Sequence, residues 1–289
     1  MRNFKVLLLL LFLSACAIQQ SNSSSKFETK PVASFSEKYI GTELNNSLQW
    51  LGIPYAQPPE GSLRWKAPRA LQKNDKKIKA TDFGNPCPQV ASISIDRKEG
   101  GDYIGSEDCL YLNIFTPKNL DADKKLPVMF WIHGGGNTSG EAGSYDFSKL
   151  AAAHDLVIVS VNYRLGFLGW FYHPSFAATS NSLEDKSGNF GTLDQIMALK
   201  WVRDNIEDFG GNKNNVTIFG ESAGGHNVFA LLCSKLARGL FHKAISQSGA
   251  TNSFNLQEAS MYSDNTDSSL LTSSKEIVSK FDLKIEIGG

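Results

Sequence analysis

The chain has 289 residues, 41% of them hydrophobic, which is enough length and apolar content to bury a full core. Lysine plus arginine and aspartate plus glutamate number 29 each, and a net charge of zero gives no reason to expect nucleic acid as a partner. No cysteine pair has zinc-ligand spacing and no histidine stands near a cysteine, which argues against a metal site.

Arg2 and Lys5 make a positive start, followed by an apolar stretch over residues 6–13. That stretch is too short to cross a bilayer, where about 20 residues are needed, and reads as an export signal. Leu13-Ser14-Ala15-Cys16 resembles the bacterial lipoprotein cleavage box, so residues 1–15 are expected to be removed and Cys16 to carry lipid; the alternative is an ordinary signal peptide with a chance cysteine. Residues 16–29, polar and serine-rich over 19–25, read as a flexible tether. The expected location is the bacterial cell envelope, at the outer membrane or periplasm, or outside the cell. The membrane is a partner only through the anchor. Residues 30–289 show no internal repeat and read as one domain, with the basic cluster at 73–79 as a solvated loop between early strands.

Short apolar runs at 110–115, 128–133, 156–161, 216–219 and 244–246 read as buried strands, and the segments after the later ones as helices. The clearest helix starts near Thr192. Thr192 and Gln195 fit a capping box, Ile196, Leu199, Val202 and Ile206 fall at helical spacing, and Gly210-Gly211 is the stop. Asp194, in its first turn, is explained by the helix dipole, and Trp201 belongs to the packing face. Strands alternating with helices predict an α/β fold with a doubly wound, mostly parallel sheet.

Gly220-Glu221-Ser222-Ala223-Gly224 lies where a strand should turn sharply into a helix, which makes Ser222 a nucleophile candidate. Glycine is needed on both sides, because a Cβ there would strike the strand or the helix. A serine hydroxyl needs a base, and the carbonyl oxygen it attacks needs donors already in place. The N–H of Ala223, at the positive end of the helix, supplies one donor. His133-Gly134-Gly135-Gly136 follows another strand, and the bare backbone of Gly135 and Gly136 supplies the others; losing one such donor typically costs about 10² to 10³ in turnover.

These motifs resemble the type-B carboxylesterase family, the cholinesterase-like branch of the α/β-hydrolase fold, over most of residues 30–250. The resemblance also rests on Gly52-Ile53-Pro54-Tyr55-Ala56 with Pro58-Pro59 and Leu63-Arg64-Trp65, and on Glu107-Asp108-Cys109-Leu110-Tyr111-Leu112-Asn113. Asn162-Tyr163-Arg164-Leu165-Gly166, Asp194-Gln195, Trp201-Val202 and Phe209-Gly210-Gly211 complete it. It implies hydrolysis of a small carboxylic ester through an acyl-serine intermediate, without metal or cofactor. It also implies a Cys87–Cys109 disulfide, worth roughly 3 kcal/mol in the chain-entropy model. His133 and Glu221 are implied as supporting residues, Glu221 as a buried acid beside the nucleophile, and Arg64 with Glu107 as a structural ion pair at the base of the disulfide loop. The loop between the two cysteines contains no tryptophan, its aromatic being Tyr103, so choline specificity is unsupported.

In this family the triad acid and histidine follow the serine at a distance, in proteins roughly twice as long, and neither is found before Gly289. His226 shares a helix face with Ser222 and is assigned to packing; His242 reads as structural, and His154 and His173 have no assigned partner. Cys233 reads as a buried, inert thiol on the elbow helix. The chain is expected to be part of a longer protein and, alone, nearly inert. The alternative readings are a non-catalytic surface-binding protein on the same fold and a truncated product that does not fold.

Overall fold

The computed structural model describes residues 27–28, 32–33, 38–72, 77–91, 102–121, 124–173, 180 and 182–251. The signal at 1–15, Cys16 and the tail beyond residue 251 lie outside the described residues. Among these residues no helix is long and apolar enough to cross a membrane.

The large sheet contains β1 (Phe27–Glu28), β2 (Thr42–Leu44), β3 (Ser47–Pro54), β4 (Tyr111–Pro117), β5 (Leu126–Ile132), β6 (Val157–Val161), β7 (Gly211–Glu221) and β8 (Lys243–Gln247). Their spatial order is β1-β2-β3-β4-β6-β5-β7-β8. Strands β6, β5, β7 and β8 run parallel, and β1 to β4 add to them antiparallel. Parallel neighbours need crossovers, supplied by helices α1 (Ser148–His154), α2 (Phe190–Asn205) and α3 (Ala223–Cys233).

Alternation along β5 divides the core between the two faces of the sheet. Val128, Phe130 and Ile132 join the larger cluster with Val202 and Leu199 of α2 and Val228 of α3. Trp131 joins Phe115, Phe219 and Ala151 of α1 on the other face, its ring 4.8 Å from that of Phe219. All five residues of β6 are buried, as expected of a parallel strand covered on both sides.

The five strands expected from sequence are present with shifted ends, the largest shift placing the start of β7 at Gly211 rather than 216, through the polar run Asn212 to Asn215. Sequence reasoning missed the β2–β3 hairpin, whose turn residues Asn45 and Asn46 both have positive φ, 53° and 60°. It also placed residues 73–79 in a loop, whereas Lys77–Lys79 pairs in parallel with Lys38–Ile40. Phe27–Glu28, assigned to the tether, pairs with β2.

Helix α2 starts at Phe190, so the capping box does not form: Asn189 is the N-cap, and the Thr192 hydroxyl accepts from Trp170 Nε1 at 3.3 Å. The dipole account of Asp194 is also replaced. Its side chain is fully buried and grips Arg164 from two sides, accepting from Nε at 2.8 Å and Nη2 at 2.7 Å, and from the Arg164 backbone N–H at 3.0 Å. The third guanidinium nitrogen donates to Lys66 O at 2.8 Å. This pair bolts α2 to the segment leaving β6. Asp194→Ala should cost about 3–5 kcal/mol by leaving a buried charge unpaired, read as a lower denaturant midpoint at unchanged slope; a loss below about 1 kcal/mol would mean that water reaches the guanidinium.

His133, one residue past β5, is 1% exposed and stacks on Tyr163 with ring centroids 4.3 Å apart. Its Nδ1 lies 2.8 Å from Gly134 O, so Nδ1 carries the proton, and burial pushes the imidazole down to about 4. Above the unfolded pKa of roughly 6.5 both states are neutral and the ring adds no pH dependence. Below it the unfolded chain takes up a proton that the folded chain refuses, so stability falls as pH drops towards 4, by up to about 1.4 kcal/mol per unit. Urea midpoints should therefore fall more steeply between about pH 7 and about pH 4.5 in the wild type than in His133→Asn. Parallel curves would contradict a neutral, buried ring.

Candidate active site

Strand β7 ends at Glu221 and α3 begins at Ala223, leaving Ser222 alone in the turn with φ 55° and ψ −119°, a conformation that costs energy in any residue but glycine. The turn is this tight because α3 starts directly against the end of β5. A Cβ on Gly224 would stand 2.0 Å from Ile132 O and 2.8 Å from His133 O. The far side is fixed by β8: the Ser222 N–H donates to Gln247 O at 2.8 Å, and the Ser246 hydroxyl to Gly225 O at 3.1 Å. Among the described residues no side chain hydrogen-bonds to the Ser222 hydroxyl.

The glycine run lies beside it. A Cβ on Gly134 would come within 3.3 Å of Ser222 Cβ. Gly135 and Gly136 have φ of 101° and 63°. The Gly135 carbonyl accepts from the N–H groups of Thr138 and Ser139, both at 3.0 Å, and from their hydroxyls at 3.3 and 3.2 Å. No partner for the N–H of Gly135 or Gly136 is found among the described residues, which leaves these donors, with that of Ala223, available to an anion.

Residues that sequence reasoning passed over hold this loop. The Tyr163 hydroxyl donates to His133 O at 2.5 Å. Asn137, φ 58°, accepts at its side-chain oxygen from Asn227 Nδ2 of α3 at 2.9 Å, while its carbonyl accepts from Gly166 N–H at 2.7 Å. Gln89 reaches the loop's far end from inside the disulfide loop. An asparagine after a glycine run and another in an apolar helix were the available signals.

Glu221 is exposed rather than buried, because residue 221 is the last of its strand and its side chain lies beyond the sheet end, near Gly134. Its charge, after burial itself, raises the Tyr145 phenol. His226 turns Nδ1 to the Ser222 carbonyl at 3.2 Å, not to the hydroxyl. His242 accepts from the Val216 N–H at 3.1 Å, tying the start of β8 to β7. His154 closes α1, and His173 stacks on Phe171. Neither meets the serine.

Cys87 and Cys109 form a disulfide with Cα atoms 5.0 Å apart. Cys233 is exposed: α3 buries Ala223, Asn227, Val228 and Leu231, and residue 233 falls on the opposite face. Arg64 donates to both Glu107 oxygens, at 2.6 and 3.0 Å, but the side chains are 43% and 20% exposed, so losing one partner strands no buried charge. Tyr103 is exposed. Among the described residues no cluster of three or more histidine, cysteine or acidic side chains could hold a metal.

Residues 36–272 match the family model described as the carboxylesterase family. Carboxylesterase 1D of Rattus norvegicus is 43% identical over 248 residues, covering 83% of this chain and 42% of the relative. The para-nitrobenzyl esterase of Bacillus subtilis is 47% identical over 226 residues, covering 77% and 44%. A solved structure of a PNB esterase superposes with a TM-score of 0.70 at 44% identity, over 79% of this chain and 46% of that one. A carboxylesterase of Geobacillus stearothermophilus gives 0.66 at 37% identity, over 75% and 42%. The chain thus spans less than half the length of these relatives. With its α/β-hydrolase sheet and its residues 36–272 matched, the chain belongs to the carboxylesterase family.

Proposed function

We propose that this chain carries the nucleophilic half of a hydrolase of small carboxylic esters, with Ser222 as nucleophile and the N–H groups of Gly135, Gly136 and Ala223 as oxyanion donors. The observation that carries this reading is the strained turn at Ser222 directly beside the Gly134 to Gly136 backbone. Ser222 Oγ would attack the ester carbonyl carbon while its proton passes to a base. The carbonyl oxygen gains the negative charge, and the collapse of that intermediate releases the alcohol and leaves an acyl-serine. Water then attacks the acyl group and frees the carboxylic acid. No cofactor enters these steps.

The base and its orienting acid belong, in this reading, to the portion of the relatives that lies beyond the match. His226 is not assigned as the base, since its ring contacts the Ser222 carbonyl through Nδ1 at 3.2 Å and no contact with the Ser222 hydroxyl is found among the described residues. His133 stays a neutral support for the loop. Removing a triad base can cost on the order of 10⁶ in turnover, so this chain alone should react slowly. Residues 1–15 are proposed as an export signal and Cys16 as a lipid attachment point that would hold the protein at the bacterial cell envelope.

A fluorophosphonate probe followed by peptide mass spectrometry tests the assignment. Ser222 should be the labelled residue, slowly without a base and faster when imidazole is added, and Ser222→Ala should abolish labelling. His226→Ala should leave the rate within about twofold. Equal labelling of Ser222→Ala, or label on another serine, would remove the proposed nucleophile.

A further inference from the structure

We propose that Gln89 is a positioning residue for the oxyanion hole, fastening the far end of the glycine loop to the Cys87–Cys109 loop; this rests on the reading of Ser222 and Gly135-Gly136 given above. Gln89 stands two residues after Cys87 and is 5% exposed. Its Nε2 donates to Cys87 O and to Gly140 O, both at 3.0 Å, and its Oε1 accepts from Gly140 N–H at 2.8 Å. Both amide hydrogens and the amide oxygen are therefore used, and Gly140 is held from both sides of its backbone.

Gly140 is the point where such a hold matters. Its φ is 115°, and a Cβ there would stand 2.4 Å from His133 Nδ1 and 2.6 Å from Gly134 O. Its backbone thus lies against the ring that hydrogen-bonds Gly134 O, at the entry to the loop. Between these ends, the Gly135 carbonyl gathers four donors from Thr138 and Ser139. The loop is a closed unit seated on His133 at one end and on Gln89 at the other, and a shift at Gly140 is passed through Ser139 to Gly135. The disulfide fixes Cys87, and Cys87 O fixes the Gln89 amide. Oxyanion geometry therefore depends on a crosslink that touches neither the serine nor the donors.

A glutamate at this position separates positioning from bulk. Ionised, it still accepts from Gly140 N–H but turns a second anionic oxygen towards Gly140 O and Cys87 O. Protonated, it regains one donor and one acceptor and can rebuild the pair with Gly140. The full chain is tested as wild type, Gln89→Ala and Gln89→Glu. Amide hydrogen exchange is followed in the peptide over 134–140 against that over β7 as a folding control. Phosphonylation of Ser222 in imidazole is resolved into a saturation constant and a limiting rate.

Gln89→Ala should speed exchange over 134–140 by at least about tenfold with β7 unchanged. It should lower the limiting rate about 10²-fold with little change in saturation. Gln89→Glu should match it near pH 8 and approach wild type as pH falls towards about 5, both compared at equal pH. Reducing the disulfide should reproduce the alanine variant. Unchanged exchange and rate in Gln89→Ala, or a Gln89→Glu deficit that is flat across pH, would overturn the proposal while leaving Ser222 as nucleophile. Loop exchange that responds as described, with no Ser222 label in any variant, would support the clamp and remove the esterase reading instead.

Discussion

The structure depends on one close approach, that of the first turn of α3 to the end of β5. Gly224 lies so near Ile132 O that no side chain fits between them, and the chain leaving β7 must reverse within the single residue Ser222. The positive φ of that serine is the local cost. It persists because both neighbours are over-determined: β7 is laddered between β5 and β8, and α3 buries Val228 and Leu231 in the main core. A serine raised on such a turn is held in place by the whole sheet rather than by its own side chain.

The glycine loop over residues 134–140 solves a related problem by other means. It has no regular secondary structure, so its carbonyls and amides must find partners one by one. Thr138 and Ser139 satisfy Gly135 O, Asn227 and Gly166 hold Asn137, Tyr163 holds His133 O, and Gln89 holds Gly140. His133 serves this network because burial keeps it neutral, with Nδ1 as donor and no charge to solvate. The Ser222 turn and the glycine loop, from distant stretches of sequence, are thereby registered against each other.

The tight turn at Ser222, the glycine run beside it, the disulfide and the parallel strands were legible in sequence because each has a local signature: a fixed glycine spacing, an apolar run of strand length, a family motif. The failures share a physical cause. A helix expected to start near Thr192 places Asp194 in its first turn, where the dipole offers a sufficient local reason for an acid, but the helix starts at Phe190 and the partner Arg164 lies 30 residues away. Cys233 follows apolar neighbours, but only helical phase decides which of them face the sheet. Gln89 is 51 residues from the backbone it holds, and nothing in a Pro-Gln-Val stretch announces a tertiary hydrogen bond. The Asn45-Asn46 turn, in contrast, did carry a readable signal, since two asparagines between strand-like residues favour left-handed backbone.

The central claim is that Ser222 and three backbone donors converge on a single reacting centre. A crystal structure of the chain with Ser222 phosphonylated would test it most directly. The account predicts a phosphonyl oxygen about 2.7–3.1 Å from the N–H groups of Gly135, Gly136 and Ala223, with the backbone of residues 134–140 unmoved. A phosphonyl oxygen turned to solvent with those donors unengaged would contradict it.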